Sequence, residues 1–467
     1  MRILLVNPFS IKNKERKIHS FPKFFHYALG VLGRAVEDVA DIDILDCEVD
    51  GVVSLKCFKK YVEKYKPDIV GFSAFTIQIE DAHLLAECVK NIDKDIWTLI
   101  GGPHATILPL ETSKNFPFFD IVVKGDGVDT LREIIESKSG KKKLEDIKGI
   151  VFKKNGEIFS TPSREWKNLN YMPFPKVELF KNINKYTGYL PYEGKREFPT
   201  YHALGCPYRC IFCFKQYGEM VRFRRPERTI EEIKYYIDKF SINSIYFFDW
   251  VFGLTETTDI LLEKMIEEGI SSKISFKVTT RVDIPLKRIE KMREAGCEFI
   301  NFGVESGSQR ILNQIKKGIN INQVREAVRC AKSNSMKVEL DFIIGNLGET
   351  IEDIKKTEDL IFELEPDFVN ISFLTPFPNT ELWERVKNLK GIKWTSFGLK
   401  TGEIINLSLI DTKKLWLIGA KLYAKFYFRP SRIKNLFLIV NFKTLISYAF
   451  FLLKKILSRL GKFRIKQ

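Results

Sequence analysis

Short apolar runs alternate with helical periodicity through the first third of the chain. The runs lie at 2–6, 42–46, 68–73, 96–101 and 119–123, and helical patterns such as 79–92 separate them. Strands that alternate with helices favour a parallel sheet covered on both faces. Residues 1–140 are therefore predicted to form a doubly wound, Rossmann-like α/β domain. Ligands of such sheets bind beyond the carboxyl ends of the strands.

The same alternation resumes after residue 196 and predicts a second α/β region that extends to residue 400. Between the two regions, residues 141–195 are predicted to hold a hairpin, turned at Asn155-Gly156, and a linker. In the second region, strands are predicted near 199–204, 244–248, 274–280, 299–304, 338–344 and 368–374, and helices over 227–240, 256–268, 285–296, 321–335 and 350–363.

The positive charge is concentrated at the C-terminus. The chain carries +16, but fourteen Lys or Arg and no Asp or Glu follow from Lys413 onward, which leaves only +2 for residues 1–412. Residues 401–467 are predicted to be a basic helical region, with an amphipathic helix over 436–460. Its uncharged stretch falls short of the roughly twenty residues that span a bilayer. It is expected either to lie on an anionic membrane surface or to pack on the preceding domain. Nucleic acid is not expected as a partner, because no aromatic stacking platform alternates with the charges.

Cysteine usage indicates a reducing compartment. The eight cysteines are irregularly spaced and no signal peptide precedes the first strand, which argues against a secreted disulfide framework. A cytoplasmic location is predicted. Cys47, Cys57 and Cys88 are interpreted as free thiols rather than ligands of a second cluster.

Three further cysteines stand in one short loop. Cys206, Cys210 and Cys213 follow a predicted strand in C-x3-C-x2-C spacing, with Phe212 directly before the third. A structural zinc site takes four ligands, usually as two C-x2-C pairs. An iron–sulfur cluster held by three cysteines keeps one iron open. The alternatives to an iron–sulfur cluster are a zinc site with a distant fourth ligand and buried thiols without a metal.

This motif resembles that of the radical S-adenosylmethionine (SAM) superfamily. The resemblance implies a 4Fe–4S cluster on the three cysteines, whose open iron chelates the amino and carboxylate groups of SAM. An electron from the cluster then cleaves the sulfonium to a 5′-deoxyadenosyl radical. The resemblance also implies that residues 196–400 form a partial (β/α)6 TIM-like barrel with its site at the carboxyl ends of the strands.

The resemblance extends to residues at the predicted strand ends. Asp249 is expected to hold the SAM amino group, with a helix N-cap as the alternative. Arg281 is expected to pair with the SAM carboxylate, with a salt bridge to Asp283 as the alternative. Glu305, in a Gly-x-Glu-Ser-Gly turn, is expected to bind the ribose or methionine moiety, and Gly345 to admit the adenine. The basic run at 222–225 resembles the loop that follows the cluster motif, or is a solvated turn.

Turns in the first domain resemble a second family feature, the cobalamin-binding domain that precedes many radical SAM cores. These turns contain glycines at the ends of predicted strands, and a glycine lets the backbone approach a large ligand closely. One departure is that residues 7–12 contain no histidine where such domains can supply a lower axial ligand. The cobalamin contacts implied are Ser73, Gly101, Gly102, His104, Gly125 and Gly127, with His104 packing near the ligand rather than binding the metal.

These features together predict a cobalamin-binding radical SAM enzyme that acts on an unactivated carbon. Methyl transfer through methylcobalamin is the expected outcome, and an oxidative cyclase or rearrangement enzyme is the alternative within the family. A non-catalytic cobalamin or redox sensor held at the membrane is the alternative from another class. The expected partners are a reductant such as flavodoxin or ferredoxin and a small-molecule or lipid substrate.

Overall fold

A computed structural model describes residues 1–9, 24–186, 188, 195–388, 405–430 and 432 of the chain. The amphipathic helix predicted over 436–460 lies outside the described residues, as does part of the stretch after the first strand. Within the described residues, no helix combines the length and apolar character needed to cross a membrane.

The first sheet has seven strands in the order β2-β1-β3-β4-β5-β6-β7, the first five of them parallel. The predicted hairpin forms, and its first strand pairs antiparallel with β5, so the hairpin extends this sheet. The strands are β1 (Arg2–Asn7), β2 (Asp41–Asp46), β3 (Ile69–Ser73), β4 (Trp97–Gly101), β5 (Ile121–Val123), β6 (Ile150–Lys154) and β7 (Glu157–Ser160).

Helices cover both faces of this sheet. In β1, Ile3 and Leu5 belong to one buried cluster and Leu4 and Val6 to another, because successive side chains of a strand point to opposite faces. This explains why the strand is an unbroken apolar run. The helices are α1 (Tyr27–Val36), α2 (Leu55–Tyr65), α3 (Ile79–Ile92), α4 (Pro103–Ile107), α5 (Pro109–Asn115) and α6 (Gly127–Lys138).

The second region contains a six-stranded parallel sheet in the order β15-β14-β13-β12-β11-β8. Strands β8 and β15 do not pair with each other in the described part of the chain, so the predicted partial barrel is confirmed as an open one. A separate antiparallel ladder joins β9 to β10. The strands are β8 (Glu197–Thr200), β9 (Ala203–Gly205), β10 (Val221–Phe223), β11 (Ser244–Phe247), β12 (Ser275–Thr280), β13 (Cys297–Glu305), β14 (Lys337–Ile344) and β15 (Phe368–Phe373).

The helices of this region pack on the apolar side of the sheet. Ile300 and Phe302 of β13 are buried in the main core, whereas Asn301 between them donates to Asp341 of β14 (3.0 Å) on the other side. The concave face of the sheet is therefore polar. The helices are α7 (Pro226–Phe240), α8 (Glu256–Glu267), α9 (Leu286–Glu294), α10 (Gln309–Gln314), α11 (Ile321–Ser333), α12 (Ile351–Leu364), α13 (Glu381–Val386) and α14 (Thr412–Tyr427).

Helix α14 covers the edge strand β15. The hydroxyls of Tyr423 and Tyr427 accept hydrogen bonds from the backbone amides of Ile371 (2.8 Å) and Val369 (3.0 Å). An uncovered edge strand is a template for unwanted pairing. The helix thereby satisfies backbone groups that have no neighbouring strand.

Candidate functional site

The cysteine loop follows β9 and lies at the carboxyl end of the open barrel. Cys206 is buried, Cys210 and Cys213 are partly exposed, and all three thiols are free. Two backbone hydrogen bonds at Ile211 hold the loop: its amide donates to Ile315 O (3.1 Å) and its carbonyl accepts from Leu382 N (2.9 Å). Phe212, between two of the cysteines, packs against the main core. The backbone at Ile211 and the ring of Phe212 thus anchor the loop, and Cys206 and Cys210 lie close enough to Cys213 to interact with it electrostatically.

The electrostatic surroundings of these thiols are mixed. Burial raises the pKa of Cys213 to about 12, and burial also raises the pKa of Cys210 against the opposing effect of Lys317. A coordinating metal reverses this tendency, because it binds the thiolate. No three His, Cys, Asp or Glu side chains of the described residues are grouped as ligands of a single metal ion. A 4Fe–4S cluster places each cysteine on a different iron, so its sulfur ligands are spread more widely than those of one ion.

A buried ion pair lies beside the loop. Lys317 Nζ donates to Glu305 Oε1 (2.8 Å), and both side chains are buried. Glu305 has φ +73° and follows a register shift between Gly303 and Glu305. Burial lowers the pKa of Lys317, but Glu305 and Cys210 outweigh it, so its pKa is raised and it stays charged. The sequence interpretation missed Lys317, which stands between two helices without any motif to mark it.

Arg281 forms the salt bridge that was the alternative to SAM binding. Its Nε and Nη2 donate to the two carboxylate oxygens of Asp283 (2.8 Å each), and Nη2 also donates to Lys317 O (2.8 Å). Its guanidinium lies 3.5 Å from the ring centroid of Tyr208, between Cys206 and Cys210. Arg281 therefore fastens the cysteine loop to the end of β12.

Asp249 is buried, and both of its carboxylate oxygens accept backbone hydrogen bonds. His202 N donates to Oδ1 (2.9 Å) and Ala203 N donates to Oδ2 (2.7 Å). Burial raises the pKa of Asp249 to about 7, against the effect of these hydrogen bonds. The carboxyl group thus supports the chain that leads into β9 and the cysteine loop. Contact between Asp249 and SAM stays a prediction.

Gly345 directly follows β14 with φ +88°, and the side where a Cβ would lie faces protein. A side chain there would meet Leu415 of α14, 3.1 Å from an added Cβ. Its amide donates to Glu349 Oε2 (2.6 Å), and Glu349 also accepts from Asn346 N (3.1 Å). The glycine therefore permits a tight turn and close helix packing, and the adenine contact stays a prediction.

The predicted cobalamin turns converge at the carboxyl edge of the first sheet. Gly102 has φ +90°, and a Cβ there would lie 3.0 Å from both Ser73 Oγ and Ala74 N. Thr106 Oγ1 donates to Gly102 O (2.9 Å) and accepts from Gly125 N (3.2 Å). The turns after β3, β4 and β5 are therefore joined into one cradle, with Gly101 as the last residue of β4.

Two of the predicted cobalamin residues have packing roles. His104 is buried in α4, its Nδ1 lies 3.1 Å from Thr76 Oγ1, and burial lowers its pKa to about 4. The ring is therefore uncharged at neutral pH, and its position near cobalamin stays a prediction. Gly127 begins α6, and Leu32 of α1 lies 3.2 Å from where its Cβ would be. The glycine allows α1 and α6 to approach each other.

In the basic run at 222–225, the side chains of Arg222 and Arg224 are buried rather than solvated. The side chain of Arg224 is fully buried and ion-paired with Glu232, which also accepts from Tyr27 of α1 (2.7 Å). Arg222 is ion-paired with Asp126 (2.7 Å) in the turn after β5. Both arginines therefore join the second region to the first domain.

Two family models match the chain. The B12 binding domain matches residues 23–135, and the radical SAM superfamily matches residues 200–361. The first match contains the whole cradle, and the second begins just before the cysteine loop and ends in α12.

Curated proteins and a solved structure resemble the chain over most of its length. A Pyrococcus horikoshii protein named as a methyltransferase is 32% identical over 418 residues, 88% of this chain and 89% of the relative. The anaerobic magnesium-protoporphyrin IX monomethyl ester cyclase of Cereibacter sphaeroides is 25% identical over 83% of this chain and 64% of the relative. The cobalamin-dependent SAM radical enzyme OxsB, with aqua-cobalamin bound, superposes with a TM-score of 0.71 at 19% identity, covering 96% of this chain and 72% of OxsB.

Proposed function

This chain belongs to the radical SAM superfamily and carries a B12-binding domain, and on that premise we propose that it is a cobalamin-dependent methyltransferase acting on an unactivated carbon. The observation that carries the proposal is the resemblance, over 88% of the chain, to a relative named as a methyltransferase. A second candidate is oxidative cyclisation, which the name of the Cereibacter sphaeroides relative favours. The sensor hypothesis is set aside, because these relatives are enzymes.

The residues present suit the three cofactors of this class. Three free thiols on one anchored loop supply the ligands of a 4Fe–4S cluster and leave one iron for SAM. We propose that cobalamin binds at the cradle on the edge of the first sheet, where Gly102 lets the turns after β3 and β4 approach each other closely. When bound, the cluster supplies the electron that cleaves SAM to a 5′-deoxyadenosyl radical, and cobalamin supplies a carrier for the methyl group.

The chain's own groups position and shield these cofactors. We propose that Glu305 binds the ribose or methionine part of SAM and that Lys317 fixes the orientation of its carboxylate. Arg281 holds Tyr208 and with it the cysteine loop, and Asp249 holds the backbone ahead of β9. Both act as positioning residues in this scheme. We propose that the polar part of a substrate faces the concave side of the barrel, where Asn301 and Asn370 donate to the two carboxylate oxygens of Asp341.

Other parts of the proposal concern organisation and partners. We propose domain limits at 1–140, 141–195, 196–400 and 401–467, with the hairpin of the second segment paired to the edge of the first sheet. The substrate is a small molecule, and the electron comes from a flavodoxin or ferredoxin. Because the cluster is oxygen-labile, the enzyme is expected to work in the reducing cytoplasm.

The proposal is tested by anaerobic reconstitution with iron, sulfide and cobalamin, followed by addition of SAM and dithionite. We expect formation of 5′-deoxyadenosine, measured by liquid chromatography, and its loss in Cys213→Ser. The matched control is Cys330→Ser, since Cys330 lies in α11 away from the loop. Iron that is absent from the wild-type protein after reconstitution, or SAM that stays intact, would contradict the proposal.

A further inference from the structure

One buried ion pair links the cobalamin cradle to the cysteine loop. Arg222 Nη1 donates to Asp126 Oδ2 (2.7 Å), and the two side chains are only 9% and 11% exposed. Asp126 is the residue after Gly125 of the cradle. Arg222 lies in β10, where it pairs with Leu204, two residues before Cys206. This contact therefore connects the cradle that is proposed to hold cobalamin to the strand pair β9–β10, which leads into the cysteine loop.

A third segment of the chain completes this junction. Lys167 N donates to Asp126 Oδ2 (2.8 Å), and Lys167 O accepts from Arg222 Nη1 (2.8 Å). The neighbouring Trp166 lies 3.7 Å from a Cβ built on Gly125. The connecting segment, to which the sequence interpretation assigned no chemistry, therefore contacts both partners of the ion pair.

Two aromatic rings enclose the guanidinium of Arg222. Its central carbon lies 4.9 Å from the Trp166 ring centroid and 4.8 Å from that of Tyr217. Cation–π attraction is strongest when the cation is desolvated, as here. The Nε of Arg222 is buried and has no hydrogen-bond partner in the described part of the chain, so the two rings, the Asp126 carboxylate and the carbonyl of Lys167 fix the orientation of the group. Trp250, the residue after Asp249, packs against Tyr217 (5.6 Å between centroids).

We propose that Arg222 is a positioning residue that sets the cobalamin cradle relative to the cysteine loop, and thus the corrin relative to the cluster. The planar, bidentate guanidinium suits this role, because a lysine at the same site supplies charge without a fixed plane. Burial protects the pair from screening by salt, unlike an exposed pair. The inference rests on the proposed function only in requiring that both cofactors bind.

The test measures the relative position of the two centres rather than turnover. The full-length protein is loaded with cobalamin and cluster and reduced to cob(II)alamin and the one-electron-reduced cluster. The magnetic coupling between these two paramagnetic centres is then recorded by electron paramagnetic resonance. We expect one narrow distribution of couplings in the wild type. We expect this narrow distribution to be lost in Arg222→Lys and in Asp126→Asn, while iron and cobalamin contents stay at the wild-type level.

The matched control is the pair Arg132–Asp38, in the same domain but 38% and 61% exposed. Arg132→Lys is expected to leave the coupling unchanged. An unchanged coupling in Arg222→Lys, or an equal loss in Arg132→Lys, would overturn the inference. If a variant fails to take up one centre, hydrogen–deuterium exchange of the cofactor-free chain decides. Faster exchange in both 124–127 and 206–213 supports the inference, and faster exchange in neither or only one overturns it.

The two proposals fail in different ways. A wild-type protein that holds both centres in fixed coupling but leaves SAM intact contradicts the proposed reaction and leaves the role of Arg222 standing. A protein that forms 5′-deoxyadenosine, but whose coupling does not respond to Arg222→Lys, contradicts only the positioning role.

Discussion

Lys317 Nζ lies 2.8 Å from Glu305 Oε1, and both side chains are buried at the end of the barrel beside the cysteine loop. The pair depends on an unusual backbone, since Glu305 has φ +73°. Gly303 makes room for it, because a Cβ there would lie 2.9 Å from the Glu305 carboxylate and 3.1 Å from the ammonium. The geometry of the strand end is thus built around one ion pair.

Removal of the lysine is expected to be costly. Lys317→Met leaves Glu305 buried without its counter-charge, and breaking a buried pair in this way typically costs about 3–5 kcal/mol in the free energy of unfolding. The double variant Lys317→Met with Glu305→Gln is expected to recover a large part of that loss. Urea unfolding of the anaerobic protein, followed by circular dichroism, measures both effects.

The neighbouring residue provides the control. Lys316 pairs with Glu381 at 2.7 Å, but the two side chains are 53% and 39% exposed. Exposed pairs are worth about 0–1 kcal/mol. Lys316→Met is therefore expected to leave stability almost unchanged. A loss in Lys317→Met as small as that in Lys316→Met would show that the buried pair is not important for folding.

Arg281 is expected to control how firmly the cluster is held. Arg281→Lys loses the two-point contact with Asp283 and the stacking on Tyr208, for which lysine is a poor substitute. We expect faster release of iron to a chelator, followed by absorbance, with little change in overall secondary structure. Arg325, which contacts Glu363 through Nε and Nη2 on the exposed surface, is the matched control. Equal iron release from Arg281→Lys and Arg325→Lys would contradict the assignment.

Local sequence patterns predicted the elements well but not their tertiary contacts. Most strands of both regions and the turn at Asn155-Gly156 follow from periodicity and turn chemistry, which involve residues close in sequence. The single strand predicted near 199–204 was wrong, because the structure has two strands there, β8 and β9, in different sheets, and β10 was not predicted. The pairing of β6 with β5, by contrast, depends on which sheet edge lies nearby. No local signal indicates that Leu415 packs on Gly345, seventy positions earlier in the chain.

The site residues divide in the same way. The cysteine spacing is a local signal, and the structure places the three thiols on one anchored loop. Arg281 had two expected partners that the sequence could not separate; the structure shows its salt bridge to Asp283, and pairing with the SAM carboxylate stays a prediction. Lys317 pairs with Glu305, 12 positions away, and Arg222 pairs with Asp126, 96 positions away. Patterns of neighbouring residues could not predict these pairs or their burial.

Gly102 is expected to be essential for the shape of the cobalamin cradle. Gly102→Ala places a Cβ 3.0 Å from Ser73 Oγ and Ala74 N, in addition to the strain of a positive φ. We expect weaker cobalamin binding, measured by the change in visible absorbance. Gly140→Ala is the control, because Gly140 also has positive φ (+77°) but nothing within 4 Å of an added Cβ. Equal cobalamin affinity in the two variants would show that the close approach at Gly102 does not matter.

Glu349 is expected to make stability depend on pH. Burial raises its pKa to about 7 from an ordinary 4.5, although hydrogen bonds from Asn346 and Gly345 oppose this. The folded protein therefore retains a proton that the unfolded chain gives up at lower pH. The contribution of this proton to the free energy of unfolding is complete below about pH 4.5 and is lost as pH rises through about 7. The nearby Asp353 does not add to this slope, because hydrogen bonds from Arg310, Ser308 and Thr350 outweigh burial and hold its pKa well below the usual range.

Glu349→Gln removes the titrating group while keeping its size. We expect the free energy of unfolding, measured in urea at several pH values between about 5 and 8, to fall less steeply with pH in this variant than in the wild type. Glu352→Gln, an exposed position in the first turn of the same helix, should retain the wild-type slope. A slope in Glu349→Gln equal to that of the wild type would mean that Glu349 is already ionised in the folded protein. In that case its hydrogen bonds to the turn at Gly345 would outweigh the cost of burying the charge.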